Sequence, residues 1–127
     1  MHELSLMSAL VEQINELSIK ESFRRVSEIR LGVGRLSGID PACIEFCFRD
    51  ATRGSLLDGA RLSLEIIPVE LICKTCHETS MPEDESQLVC SWCGSNHISI
   101  LRGREFKIID LEVDSQESEH FAVLNQA

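Results

Sequence analysis

The stretch SEIRLGVGRL, residues 27–36, is where the chain changes its period. Ile29, Leu31 and Val33 alternate with Glu28, Arg30 and Gly32, the two-residue repeat of a half-buried strand. Upstream, Leu4, Met7, Val11, Ile14 and Leu17 fall at three-four spacing, and Leu6 and Leu10 widen the stripe. That segment reads as an amphipathic helix with one broad buried face. Downstream, GIDPACIEFCFRDATRG (38–54) returns to helix: Asp40 suits the cap, Pro41 the first turn and Gly54 the end. Ile44, Phe48 and Ala51 share a face, with Cys47 beside them. A second strand follows, in which Leu62, Leu64 and Ile66 alternate against Ser63 and Glu65.

The order helix, strand, helix, strand breaks at Cys73. Between Cys73 and Cys93 there are few aliphatic residues and an acidic PEDES run, too little to build a hydrophobic core. Beyond it, EFKIIDLEV (105–113) is spaced for a third strand, through a bulge or with both faces covered. The expected fold class is α+β: two helices packed on a three-stranded sheet, with an inserted zinc-ribbon-like domain. The corresponding boundaries are 1–70 with 104–114 for the α+β domain, 71–103 for the insertion and 115–127 for a flexible tail.

The chain has 127 residues, 43% hydrophobic and 26% charged, as expected of an ordinary globular protein. A net charge of −9 argues against nucleic acid or an anionic membrane as partner, because phosphate neutralisation needs clustered Lys and Arg. No apolar run approaches the roughly 20 residues needed to cross a bilayer. Glu3, Glu12 and Glu16 break up the opening apolar residues, so no signal peptide is expected, and the expected location is the cytoplasm.

Six cysteines in such a compartment are better read as metal ligands or small buried residues than as disulfides. Cys73–Cys76 and Cys90–Cys93 are two C-x-x-C knuckles, thirteen residues apart, with Gly94 easing the turn after the second. Two such knuckles give tetrahedral sulfur ligation, so Cys73, Cys76, Cys90 and Cys93 are expected to hold a structural zinc ion. Iron would also accept four sulfurs. A closed site leaves no position for water or substrate, so no catalysis is expected there. CKTCH also matches a haem-attachment pattern, but Cys76 is better used by the partner knuckle. His77 and His97 flank the cluster, where either would replace a thiolate or hydrogen-bond to one, with surface solvation the default for His77. Cys43 and Cys47 read as small core or half-buried residues.

The opening MHEL raises a second metal question. A terminal amine, an intervening amide nitrogen and the His2 imidazole close two fused chelate rings on one ion. Taken with the segments IRLGVGRLSGI, IEFCFRDATRGSLLDGARLSLEIIPVELICKTC and CSWCG before a closing strand, the chain up to Asp114 resembles the HypA/HybF hydrogenase nickel-incorporation proteins. The resemblance implies a nickel-binding domain of two helices on three strands, carrying the zinc domain. It implies that Ni2+, as cargo, is held by the Met1 amine, backbone amide nitrogens at His2 and Glu3, and the His2 imidazole. His97 is implied as an additional nickel ligand and Asp40 as a further candidate, although capping explains Asp40 fully.

The implied role is that of a metallochaperone, not an enzyme: it would carry nickel in exchange with a HypB-type GTPase and help insert it into the large-subunit precursor of [NiFe]-hydrogenase. No nucleophile with an adjacent base, phosphate-cradling glycine loop or carboxylate pair suggests catalysis. The alternative is a zinc-ribbon module for protein or nucleic-acid interaction, which explains the knuckles but not the opening residues.

Overall fold

The structure, a computed structural model, describes residues 3–114 and the backbone of 119–123. In chain order the elements are α1 (Glu3–Glu21), β1 (Arg25–Gly34), α2 (Pro41–Thr52), β2 (Arg61–Ile67), β3 (Glu70–Cys73), β4 (Thr79–Ser80), β5 (Ile98–Arg102), β6 (Phe106–Asp114) and β7 (Glu119–Val123). They form an α+β fold with one sheet ordered β2-β1-β6-β7 and a second ordered β4-β3-β5.

Contacts divide the chain into two compact units. One comprises Met1–Gly32, Ile39–Glu65 and Lys107–Ala127; the other comprises Val33–Gly38 and Ile66–Phe106. The second is wider than the expected 71–103 because the strand ends around Gly34 and Gly103 bond within it: Gly34 N–H donates to Glu105 O at 2.7 Å and Leu36 N–H to Gly103 O at 2.6 Å.

In the first unit, Met7, Leu10 and Ile14 of α1 are buried, as are Ile44 and Phe48 of α2, and the two helices pack together. Val26, Ile29 and Leu31 of β1 and Ile108, Leu111 and Val113 of β6 supply the sheet side of the core. Arg24 N–H donates to Asp114 O and Ser27 Oγ to Glu112 O, so β1 and β6 run antiparallel. Arg30 and Asp110 form an ion pair on the outer face of the same strands.

Helix boundaries follow local chemistry. Asp40 caps α2, its carboxylate accepting from Ala42 N–H at 2.9 Å, and Pro41 occupies the first turn. Gly54 takes φ +78° after the last turn. α1 ends without glycine: Ser22 takes φ 60° and Phe23 N–H closes onto Ser18 O at 3.1 Å.

Four expectations need correction. The main sheet has four strands, not three, because β7 pairs antiparallel with β6 from Asp110↔Val123 to Asp114↔Glu119. Residues 119–123 are therefore strand rather than tail; the remainder of the expected tail lies outside the described residues. In β2 the buried position is Ile67, while Ile66 is exposed. On α2, Thr52 rather than Ala51 is buried, its hydroxyl satisfied by Phe48 O at 2.8 Å.

Candidate metal centre

The first knuckle begins where a short strand stops, and the second leaves an irregular segment before Cys90. β3 delivers Cys73 at its last residue, and His77 N–H returns to Cys73 O at 3.0 Å to close the turn. The second knuckle repeats the geometry: Gly94 N–H donates to Cys90 O at 2.9 Å. Both turns place the residue after the second cysteine in the left-handed region, His77 at φ 67° and Gly94 at φ 77°. Gly94 was expected there; His77 was not, because nothing about a histidine announces a positive φ.

The tightened turns aim main-chain donors at sulfur. Thr75 and Cys76 N–H groups each lie 3.3 Å from Cys73 Sγ, and those of Trp92 and Cys93 lie 3.3 and 3.5 Å from Cys90 Sγ. Such donors favour thiolate over thiol. Cys73 and Cys90 are buried, Cys76 is half-buried and Cys93 exposed.

The two knuckles bring their sulfurs together. Cys73 Sγ lies 3.6 Å from Cys93 Sγ, Cys76 Sγ lies 3.6 Å from Cys90 Sγ, and all four ligand atoms fall within 4.8 Å of one another. A tetrahedron with ~2.3 Å zinc–sulfur bonds has edges of ~3.8 Å, so the four sulfurs fit a structural zinc site. Their protonation divides accordingly. Cys76 N–H, with help from Thr75 N–H and against burial, holds the Cys73 thiol down at about 6. Cys76 is pushed up to about 12: Glu78 N–H lowers it, but burial and the neighbouring sulfurs of Cys90, Cys73 and Cys93 outweigh that donor. Cys90 is lowered, foremost by Cys93 N–H, and Cys93 is raised, burial and Cys73 overcoming Ser95 N–H. Four thiolates this close repel one another, and a divalent cation at their centre removes the conflict.

The flanking histidines stand apart from this set. His77 and His97 are exposed, and among the described residues the four cysteines are the one group able to hold a metal by three or more such ligands. His97 enters the fold through its backbone, its N–H donating to Ser95 Oγ at 3.0 Å and its carbonyl accepting from Lys74 N–H at 2.8 Å.

In the other unit, Met1 and His2 lie outside the described residues, while Glu3 begins α1 beside the start of α2. Asp40 N–H donates to Glu3 Oε2 at 3.5 Å, and the Cys43 thiol lies 3.6 Å from Asp40 Oδ2. Burial first, then Asp40 and Glu3, pushes the Cys43 thiol up. Cys43 is exposed on α2, not the core or half-buried residue expected; Cys47 is half-buried and its thiol points to Ile44 O at 3.8 Å.

The family model for hydrogenase/urease nickel incorporation metallochaperones, HypA, matches residues 1–113. The chain belongs to the HypA family. It is 36% identical over 115 residues to the hydrogenase maturation factor HypA of Syntrophus aciditrophicus, covering 90% of this chain and 100% of that one. It is 35% identical over 114 residues to that of Methylocella silvestris, with the same coverage. The solution structure of the Ni metallochaperone HypA from Helicobacter pylori superposes with a TM-score of 0.70 at 28% identity, covering 91% of this chain and 100% of that chain. HypA proteins are maturation factors of the nickel-incorporation class rather than enzymes. No helix among the described residues is long and apolar enough to cross a membrane.

Proposed function

We propose that this chain is a cytoplasmic nickel metallochaperone that binds Ni(II) at its N-terminus and helps insert it into the large-subunit precursor of [NiFe]-hydrogenase, exchanging the ion with a HypB-type GTPase. The observation that carries this reading is the HypA match running from residue 1, which puts Met1, His2 and Glu3 inside the family's stretch. The donors are the Met1 amine, the amide nitrogens of His2 and Glu3, and the His2 imidazole. Nickel(II) favours planar nitrogen ligation where strong, closely spaced donors exist, and consecutive residues impose that planarity through fused chelate rings. The exposed His97 is the additional donor in this reading. Cys73, Cys76, Cys90 and Cys93 hold a structural zinc that fixes the knuckles and takes no part in transfer.

A carrier has to release its ion on cue. A terminal chelate does so by peeling away while its amides take up protons. Amine, amide and imidazole all compete with protons, so nickel affinity falls as pH falls from neutral to mildly acidic. The deciding test is nickel titration of untagged protein against His2→Ala and against a form with one residue added before Met1. Both variants lose stoichiometric nickel while zinc remains; retention by both, or an affinity that ignores pH, removes the terminal chelate. The alternative, a nucleic-acid-binding zinc ribbon, is disfavoured by the net charge of −9 and predicts a gel shift in moderate salt.

A further inference from the structure

The zinc unit carries an exposed apolar patch that metal binding does not use. Trp92, the chain's single tryptophan, is 71% exposed and Met81 is 55% exposed. The indole is nevertheless held: Trp92 Nε1–H donates to Thr79 O at 2.9 Å. Its neighbour Ser91 laces the second knuckle to the same segment, Oγ donating to Met81 O at 2.9 Å and N–H accepted by Ser80 Oγ at 3.2 Å. The polar edge of the ring is thus satisfied within the chain while its apolar face is left bare and fixed in direction. A large, pre-oriented aromatic of this kind loses little freedom when covered, which is the character of an interface anchor.

The surroundings say what covers it. Glu78, Glu83 and Asp84 are exposed, and residues 77–92 contain neither lysine nor arginine. The Asp84 carboxylate is fixed by the Ser86 N–H and hydroxyl, and Glu85 is engaged by Arg35 at 2.9 Å. An apolar anchor among carboxylates repels nucleic acid and anionic lipid, and a chain of net charge −9 repels a second copy of itself. Charge complementarity leaves a basic partner whose cations meet the carboxylates and the indole face while an apolar side chain covers the ring. We infer that the Met81–Trp92 face of the zinc unit docks a segment of a partner protein that combines an apolar side chain with flanking lysines or arginines. This surface does not depend on where nickel binds.

The test uses the full-length, zinc-loaded protein and a synthetic twelve-residue peptide of alternating leucine and lysine. Because Trp92 is the only tryptophan, its emission reads the site directly and shifts to shorter wavelength as the peptide binds. With a fluorescent copy of the peptide, Trp92→Ala weakens binding about tenfold or more, as expected of an anchor. Glu83→Gln with Asp84→Asn weakens it several-fold and reduces its salt dependence, whereas Glu12→Gln with Glu16→Gln, an equal charge change on α1, does neither. Unchanged Trp92 emission on peptide binding overturns the inference without recourse to any variant. So does equal weakening by the two charge pairs, or a Trp92 response to oligothymidine in place of the peptide.

Discussion

Replacing Gly34 by alanine separates two opposing effects of known sign. Gly34 has an ordinary φ, so by backbone entropy alone the added methyl stabilises the fold by about 0.4–1 kcal/mol. A Cβ at this position, however, would stand 2.2 Å from Gly103 O, 2.5 Å from Gly103 C and 2.9 Å from Arg104 N, all of them backbone atoms. Non-bonded carbon contacts settle near ~3.5 Å, so the end of β1 and the turn at Gly103–Arg104 must part by more than about 1 Å. Gly103 is poorly placed to retreat: its carbonyl accepts from Leu36 N–H at 2.6 Å and its own N–H donates to Glu105 Oε1 at 2.6 Å. Overpacking costs about 1–3 kcal/mol and the lost Leu36 hydrogen bond about 1 kcal/mol more. Less the entropic gain, the expected net loss is about 1–3.5 kcal/mol, lowering the urea midpoint by about 0.5–2 M. Trp92 emission follows the same unit. Gly38→Ala is the control: nothing lies within 4 Å of its Cβ, and only its φ of +78° opposes the change, at about 1 kcal/mol. A Gly34→Ala protein as stable as the parent, or more stable, would refute the close approach.

Three further outcomes follow from the same geometry. Asp40→Ala removes the α2 cap and lowers stability by about 1 kcal/mol in chemical denaturation, whereas Asp40→Asn retains most of it, since an amide oxygen still accepts from Ala42 N–H. His77→Gly relieves a left-handed histidine and raises zinc-unit stability by about 1 kcal/mol with one zinc still bound per chain; loss of zinc in this variant would make His77 a ligand. Chelation of zinc unfolds the knuckles, seen as rapid modification of Cys73 and Cys90 by a thiol reagent, while α1 and α2 keep their far-ultraviolet signal; protected thiols after complete zinc removal contradict the role given to the metal.

Much of this molecule is legible from local chemistry. The alternation through Ile29 and Leu31, the Asp40–Pro41 helix start, Gly54 and the two knuckles each express a preference that short-range physics enforces. What escapes the sequence depends on distant partners. Ile66 and Ile67 are equally apolar, and pairing alone decides which is buried. Thr52 reads as a surface residue until Phe48 O takes its hydroxyl. β7 lies beyond the family match, which ends at residue 113, and it pairs along the edge of β6. Ser22 and His77 adopt a conformation for which the sequence would offer glycine. The cysteine site is legible in its ligands but not in the N–H groups that tune them, because those donors belong to the backbone and carry no side-chain signature.

The chain passes between its two units at residues 32–33, 38–39, 65–66 and 106–107. This threading imposes a timetable on synthesis. When residue 106 has been made, every residue of the zinc unit exists, including the strand ends around Gly34 and Gly103. The other unit is then still incomplete: Ile29 and Leu31 have been translated, but Ile108, Leu111 and Val113, which complete its core, have not. As the chain grows from its N-terminus, the unit with the metal-sized cage can close first, and the sheet bearing the two long helices is finished last. The module that reads as an insertion is, in the order of manufacture, complete before its host.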